Sequence, residues 1–139
     1  MNRPAVLLLS LLSLCLEACY PANGAPPEDR FWLKSGIGKS QKSADWSMCA
    51  EQSLRKLGDA ERKAFEEGQS AYREGLRTNA PFPFEVPEGY DEAAQKHREQ
   101  TRQCLYGLGY RFTASLYWCL AQDGGDNWGD CRRYRKYRR

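Results

Sequence analysis

Cysteine offers the most chemistry in this chain of 139 residues, where it occurs six times. A thiol can act as a nucleophile, pair in a disulfide or bind a metal ion, and its neighbours decide which. Zinc binding is not expected, because no two cysteines have C-x2-C spacing and His97 is the only histidine. Calcium binding is not expected either, since the acidic stretch 123–130 lacks the closing glutamate of a calcium loop. No other cofactor is predicted.

Cys19 follows a segment with the pattern of an export signal. Residues 1–3 include a positive charge, and residues 5–16 form an apolar run of twelve residues. That length is typical of a signal peptide and too short for a membrane-spanning helix. A buried core helix is the less favoured alternative, because a proline-rich stretch follows the run. We therefore predict a signal peptide over residues 1–18.

The sequence around Cys19 resembles the lipobox of bacterial lipoproteins. Leu16 stands three residues before the cysteine and the small Ala18 directly before it, although Glu17 departs from the usual small or hydroxyl residue. We predict that Cys19 is lipidated and that the chain is anchored in the bacterial cell envelope. Cleavage that leaves Cys19 unmodified is the alternative. Tyr20 occupies the place where Asp usually retains lipoproteins in the inner membrane, which favours the outer membrane.

Hydrophobic periodicity predicts a mainly α-helical domain over residues 31–131, with about three helices. The first helix is predicted from a cap at Ser43 to about Leu57, the second from a cap at Asp59, and the third from Asp91 or a near neighbour. Gly68 in the second helix is expected to weaken it by about 1 kcal/mol relative to alanine. His97 falls on the inner face of the third helix and is predicted to be packed there.

Three further segments connect or flank these helices. Residues 19–30 are predicted to be the lipidated N-terminus and a proline-rich tether. The proline-rich stretch 78–89 cannot be helical, and it is predicted to lie as a strap over the helices, with an exposed partner-binding site as the alternative. Residues 110–119 are rich in aromatic side chains and could form a short strand and turn or a fourth helix. A polar loop is predicted over residues 123–130.

The four remaining cysteines form an even set in a chain that is predicted to be exported, so two disulfides are expected. Cys49 and Cys104 lie on the inner faces of the first and third helices, where antiparallel packing can bring them together. Cys119 and Cys131 flank a short loop that can close on itself. The predicted pairs are Cys49–Cys104 and Cys119–Cys131.

The last eight residues, RRYRKYRR, carry the whole positive excess of the chain. Residues 20–139 have a net charge of +3, which becomes −3 when residues 132–139 are left out. We predict a basic tail that binds anionic lipid or lipopolysaccharide, with Tyr134 and Tyr137 at the depth of the membrane interface. A solvated tail without a partner is the alternative. The predicted anion-binding residues are Arg132, Arg133, Arg135, Lys136, Arg138 and Arg139.

Three spaced patterns together resemble a group of small, poorly characterised lipoproteins of Gram-negative bacteria. These patterns are Trp32-x-Lys34-x-Gly36, then Asp45 followed by Cys49, then Cys104-x4-Gly109-Tyr110, with a late cysteine pair after them. The resemblance covers residues 31–131 and is weak between residues 57 and 90. It implies an envelope location and disulfides, and it implies no particular activity.

A non-catalytic binding module is the function class that the composition favours. A catalytic triad is not expected because the chain has a single histidine, and disulfide formation would remove the thiolate nucleophiles. Nucleic acid is not an expected partner of an exported protein, despite the basic tail. The alternatives are an exclusion-type lipoprotein linked to conjugation and an inhibitor of a host or envelope enzyme. The protein partner is not predicted.

Overall fold

The computed structural model describes residues 27–120 and 127–138, so the predicted signal peptide and Cys19 lie outside the described residues. The described residues are mainly helical and form two compact units. The larger unit contains residues 32–113 together with residues 137 and 138. The smaller unit contains residues 27–31 and the described part of residues 114–136. Within the described ranges, no helix combines the length and the apolar character needed to cross a membrane.

Helix α1 of the larger unit spans Lys39–Lys56 and begins after Gly38, not at Ser43 as predicted. The earlier start has a local reason, because residues 39–42 contain neither proline nor glycine to stop a helix. Gln41 also donates a hydrogen bond to Asp45 one turn later, at 2.7 Å. Cys49 and Ser53 are buried on one face of α1, as the periodicity predicted.

Helix α2 spans Asp59–Thr78, and Gly58 is its N-cap residue. The predicted cap, Asp59, is instead the first helical residue, because the Glu61 carboxylate accepts a hydrogen bond of 2.9 Å from the Gly58 N–H. This bond satisfies a donor that the helix itself leaves unpaired. The helix ends at Asn79, which adopts the left-handed conformation with φ of 51°.

Helix α3 spans Tyr90–Gly107 and follows Gly89, whose φ of 80° favours glycine. The predicted start at Asp91 or a near neighbour is confirmed. The disulfide Cys49–Cys104, called the long-range disulfide below, joins α1 to α3 with the two Cα atoms 5.6 Å apart. The sequence prediction of this pair is therefore matched by the structure.

The aromatic segment after α3 contains both of the elements that the sequence left open. Strand β1, Trp32–Leu33, pairs antiparallel with strand β2, Arg111–Phe112, and Trp32 lies opposite Phe112. Helix α4 follows at Leu116–Leu120. The side chains of Trp32 and Phe112 are buried in the core of the larger unit, where their ring centroids lie 5.6 Å apart.

The segment between α2 and α3 is extended and lies against α2, as a strap would. Phe84 packs where a Cβ atom on Gly75 would come within 2.4 Å of its ring, and its centroid lies 5.1 Å from that of Tyr72. Phe82 does not pack in the same way, because 76% of its side chain is exposed. The predicted strap is thus present at Phe84, while Phe82 faces solvent.

The smaller unit is built from four short helical segments. They are a 3-10 helix at Glu28–Phe31, α4, helix α5 at Asn127–Arg133, and most of a second 3-10 helix at Tyr134–Tyr137. The disulfide Cys119–Cys131, called the short-range disulfide below, joins α4 to α5 with Cα atoms 5.8 Å apart, as predicted. Asn127 supports the same junction by donating a hydrogen bond of 3.0 Å to the Trp118 carbonyl.

Three predicted boundaries are corrected by these segments. Glu28–Phe31 is a 3-10 helix, so the predicted tether does not extend to Arg30. Residues 127–130 belong to α5, so the predicted polar loop is at most residues 123–126, which lie outside the described residues. Residues 132–138 are folded in α5, the second 3-10 helix and the residue after it, so they are not a separate tail.

Candidate functional site

Two groups of side chains are candidate sites, and the first surrounds Asp45 and Tyr110 in the larger unit. Asp45 is buried on α1, and Tyr110 is fully buried just before β2. The Tyr110 hydroxyl donates a hydrogen bond of 2.9 Å to Asp45, whose other carboxylate oxygen accepts the bond from Gln41. The Lys34 Nζ atom lies 5.6 Å from the centroid of the Tyr110 ring. One residue from each resemblance pattern, Lys34, Asp45 and Tyr110, therefore lies at this place.

The electrostatics of this cluster favour a structural role. Hydrogen bonds from Gln41 and then from Tyr110 lower the pKa of the Asp45 carboxyl, so the carboxylate form is held. Burial, followed by the hydrogen bond to Asp45, raises the pKa of Tyr110 to about 12. Neither group changes its protonation near neutral pH, so the pair is poorly suited to general acid or base catalysis. Its evident effect is to fix α1 against the segment that leads into β2.

His97 is held by packing on α3, as the sequence analysis predicted. Its ring centroid lies 4.5 Å from that of Phe65 on α2, and its Nε2 atom lies 2.9 Å from the Ala50 carbonyl oxygen of α1. Burial lowers the pKa of His97, so the neutral ring is favoured in the folded protein. His97 thus links three helices. Across the described ranges, no three His, Cys, Asp or Glu side chains are placed to hold a metal ion.

The predicted anion-binding residues do not act as one group in the structure. Arg132, Arg135 and Lys136 are exposed in the smaller unit. Arg133 is half-buried, and its guanidinium lies 3.0 Å from the Asp130 carboxylate in an ion pair. Arg138 belongs to the larger unit and lies 5.7 Å from the centroid of the Phe112 ring. Arg139 lies outside the described residues.

The two tyrosines of this segment contradict the sequence prediction. Tyr134 is 0% exposed and Tyr137 is 5% exposed, so neither is available to a membrane interface. The Tyr137 ring packs 5.4 Å from Trp32 and 5.3 Å from Tyr106, measured between centroids. Large aromatic rings gain more free energy from such burial than from the surface, which is why they are withdrawn from the charged face.

The second candidate site is an exposed apolar surface of the smaller unit. Helix α4 turns Trp118 and Cys119 inward, and the Trp118 ring lies 4.8 Å from that of Phe31. The other side chains of α4 are exposed. The tryptophan of α5, the helix that the short-range disulfide joins to α4, is exposed as well. We call these side chains the apolar surface; they are Leu116, Tyr117, Leu120 and Trp128, with exposed fractions of 66%, 81%, 55% and 48%.

Sequence reasoning did not identify the apolar surface. The spacing of Leu116 and Leu120, four residues apart, could have indicated that one side of a short helix is apolar. Which side faces solvent was not readable from that spacing. The solvent-facing side is decided by the inward position of Trp118, whose ring packs against the sequence-distant Phe31, and by the short-range disulfide.

A shallow depression in the larger unit, of about 400 Å³, is a weaker candidate. It lies at the end of α2 and is lined by Gly75, Phe84 and the prolines Pro81 and Pro83. Its lining is largely the contact between the strap and α2. The Glu74 carboxyl has a lowered pKa because it is bonded to Arg77.

Comparisons of the chain with protein-family models, with curated proteins and with solved structures find no match.

Proposed function

We propose that this protein is a lipoprotein of the bacterial cell envelope, anchored by lipid on Cys19, whose folded part is a non-catalytic binding module. The proposal rests first on the apolar run 5–16 followed by Leu16-Glu17-Ala18-Cys19. Tyr20 in place of Asp favours the outer membrane. The two disulfides agree with an oxidising compartment outside the cytoplasm.

The ligand that we propose for the module is the phosphate of anionic lipids or lipopolysaccharide. The observation that carries this part is the set of exposed cations between residues 132 and 136, which are Arg132, Arg135 and Lys136. Guanidinium groups pair with phosphate oxygens through two parallel hydrogen bonds, which favours arginine at such a surface. The set is smaller than the sequence analysis proposed, since Arg133 already pairs with Asp130.

Lipid anchorage is tested by metabolic labelling with a palmitate analogue. The wild-type chain is expected to carry the label and to sediment with the outer-membrane fraction, and the Cys19→Ala variant is expected to carry none. Labelling of both to the same extent would contradict the proposal. A Cys15→Ala variant is the matched control, because Cys15 lies within the apolar run and is expected to be removed with the signal peptide.

Binding of anionic phosphate is tested by vesicle flotation of the mature chain from residue 19 carrying Cys19→Ala. The variant Arg132→Gln/Arg135→Gln/Lys136→Gln removes the proposed contacts and leaves the buried tyrosines in place. The control variant Lys39→Gln/Lys56→Gln/Arg73→Gln removes the same charge from exposed positions of the larger unit. Salt-sensitive binding to anionic vesicles should be lost in the first variant and kept in the second. Equal losses would show that net charge alone is responsible.

A further inference from the structure

We propose that the smaller unit inserts its apolar surface into the interfacial layer of an anionic bilayer. The observations are the exposed side chains of α4 and α5 and the cations that follow them. The proposal deepens the proposed function, since it specifies how a lipid-anchored module would contact the membrane. It does not depend on the lipid at Cys19, because it concerns residues 114–120 and 127–136 alone.

The composition of the apolar surface is the first step of the argument. Leu116, Tyr117 and Leu120 fall on one side of α4, because they are spaced by one and four residues along the helix. Three of the four side chains are more than half exposed, and Trp128 is nearly so. A cluster of exposed large apolar groups is uncommon on a soluble domain and marks a contact surface. Leucine with tryptophan and tyrosine is the combination found where proteins enter the membrane interface.

The support beneath this surface is the second step. A helix of five residues is not stable in water by itself. Here the short-range disulfide, the hydrogen bond from Asn127 to the Trp118 carbonyl and the ring contact of Trp118 with Phe31 hold α4 in place. The exposed side chains are therefore presented on a fixed support, which lowers the entropy lost when they insert.

The charge next to this surface is the third step, and it selects the occupant. Residues 114–120 contain no charged side chain, and residues 127–136 contain four cations and one carboxylate, Asp130; Asp123 and Asp126 lie outside the described residues. Asp130 pairs with Arg133, and the side chains of Arg132, Arg135 and Lys136 are exposed. Arg132 follows Trp128 by four residues on α5, so the two lie one helical turn apart. Apolar groups beside cations complement acyl chains beside anionic phosphates.

The experiment measures insertion by fluorescence quenching. The mature chain from residue 19 with Cys19→Ala is mixed with phosphatidylglycerol vesicles that contain brominated lipid, and with phosphatidylcholine vesicles of the same bromine content. Trp128 is the reporter on the apolar surface; Trp32 and Trp118 are buried, and the half-buried Trp46 of the larger unit is retained in Trp128→Phe, so its signal is subtracted in that comparison. We expect quenching in the anionic vesicles and its loss in Trp128→Phe. Quenching that is the same in wild type and Trp128→Phe would overturn the proposal.

A leucine variant gives the matched comparison. Leu116→Ser/Leu120→Ser should lower the partition coefficient by about tenfold for each leucine removed from contact with lipid. Leu33→Ser/Leu76→Ser is the control, because these leucines of the larger unit are 52% and 59% exposed and are not part of the apolar surface. Circular dichroism and disulfide mapping of all variants confirm the fold. Equal partition of the two variants would overturn the proposal.

Other outcomes separate this proposal from the proposed function. Salt-sensitive flotation without Trp128 quenching would mean attachment through phosphate contacts alone, which overturns insertion and leaves the proposed function intact. A change in sedimentation mass of Leu116→Ser/Leu120→Ser, without a change in partition, would mean that a second copy of the chain covers the surface. That result also overturns insertion. Failure of Cys19 labelling would overturn lipid anchorage and leave the quenching result unaffected.

Discussion

Replacing Gly68 with alanine has two opposing effects on stability, and their sizes can be estimated from the structure. Gly68 is buried in the middle of α2, where alanine should stabilise the helix by about 1 kcal/mol. However, a Cβ atom at this position would lie 2.1 Å from Cδ2 and 2.5 Å from Cγ of Tyr90. These atoms belong to the base of the ring, so the ring cannot avoid the contact by a small rotation of its far end.

The steric effect is expected to exceed the gain in helix propensity. Overpacking costs about 1–3 kcal/mol, and a contact this short belongs at the upper end of that range. Moving the Tyr90 ring would also disturb the hydrogen bond of 2.9 Å that its hydroxyl accepts from Gln69. We therefore expect Gly68→Ala to lower the free energy of unfolding by about 2 kcal/mol, which corresponds to a fall in melting temperature on the order of 10 °C.

The assay is urea unfolding of the mature chain, with two comparisons that isolate the contact. Gly107→Ala is the control, because Gly107 lies in α3 and a Cβ atom there meets nothing within 4 Å. It should be neutral or stabilising. In a Tyr90→Ala background, Gly68→Ala should become stabilising, since the obstructing ring is absent. A destabilisation of the same size in both backgrounds would refute the steric explanation.

Further predictions concern the disulfides, His97 and Tyr110. Replacing the cysteines of the long-range disulfide by serines should lower the free energy of unfolding by about 4 kcal/mol, and replacing those of the short-range disulfide should lower it by about 3 kcal/mol, because the closed loops span 55 and 12 residues. A larger loss for the short-range disulfide in urea unfolding would contradict this prediction. Because the pKa of His97 is lowered in the folded protein, its contribution to stability is present above the unfolded pKa of about 6.5 and is lost as the pH falls through the folded pKa. Unfolding measurements at different pH should show this loss for the wild type and not for His97→Gln. Because the pKa of Tyr110 is raised to about 12, its contribution to stability is present below the ordinary pKa near 10 and is lost as the pH rises through 12. In thermal melts, Tyr110→Phe should be less stable than the wild type at neutral pH and should not show this loss of stability at alkaline pH.

The parts of the fold that were predictable from the sequence depend on contacts within one helix. The spacing of Cys49 and Ser53 on α1 and the breaker Gly58 placed the first two helices, and the inner faces of α1 and α3 gave the disulfide pairing. The start of α1 was wrong because a serine is a favourable cap but does not prevent a helix from extending past it. Sequence alone could not tell that Gly68 makes room for Tyr90, since the two are 22 residues apart.

The C-terminal segment shows why composition misled the prediction of its site. Six cations in eight residues indicate a solvated end, and the exposed positions of Arg132, Arg135 and Lys136 agree with that pattern. The tyrosines between them are buried all the same, and Tyr137 packs against Trp32, which lies 105 residues earlier in the chain. A contact of that sequence separation leaves no periodic signal. The exposed apolar surface next to this segment was missed for a related reason, because it is defined by what the short-range disulfide turns inward.

The positions of the residues that carry the family resemblance indicate where functional experiments should be directed. Trp32, Asp45 and Tyr110 belong to the larger unit and are buried there. Tyr110 is hydrogen-bonded to Asp45 of α1, and Trp32 packs against Phe112 and Tyr137, so substitutions at these three positions are expected to act on stability. The apolar surface and its neighbouring cations lie in the smaller unit and are exposed. A substitution that changes membrane binding without changing the free energy of unfolding should therefore be sought among residues 116–120 and 127–136, and the serine and glutamine variants proposed above are chosen for that reason.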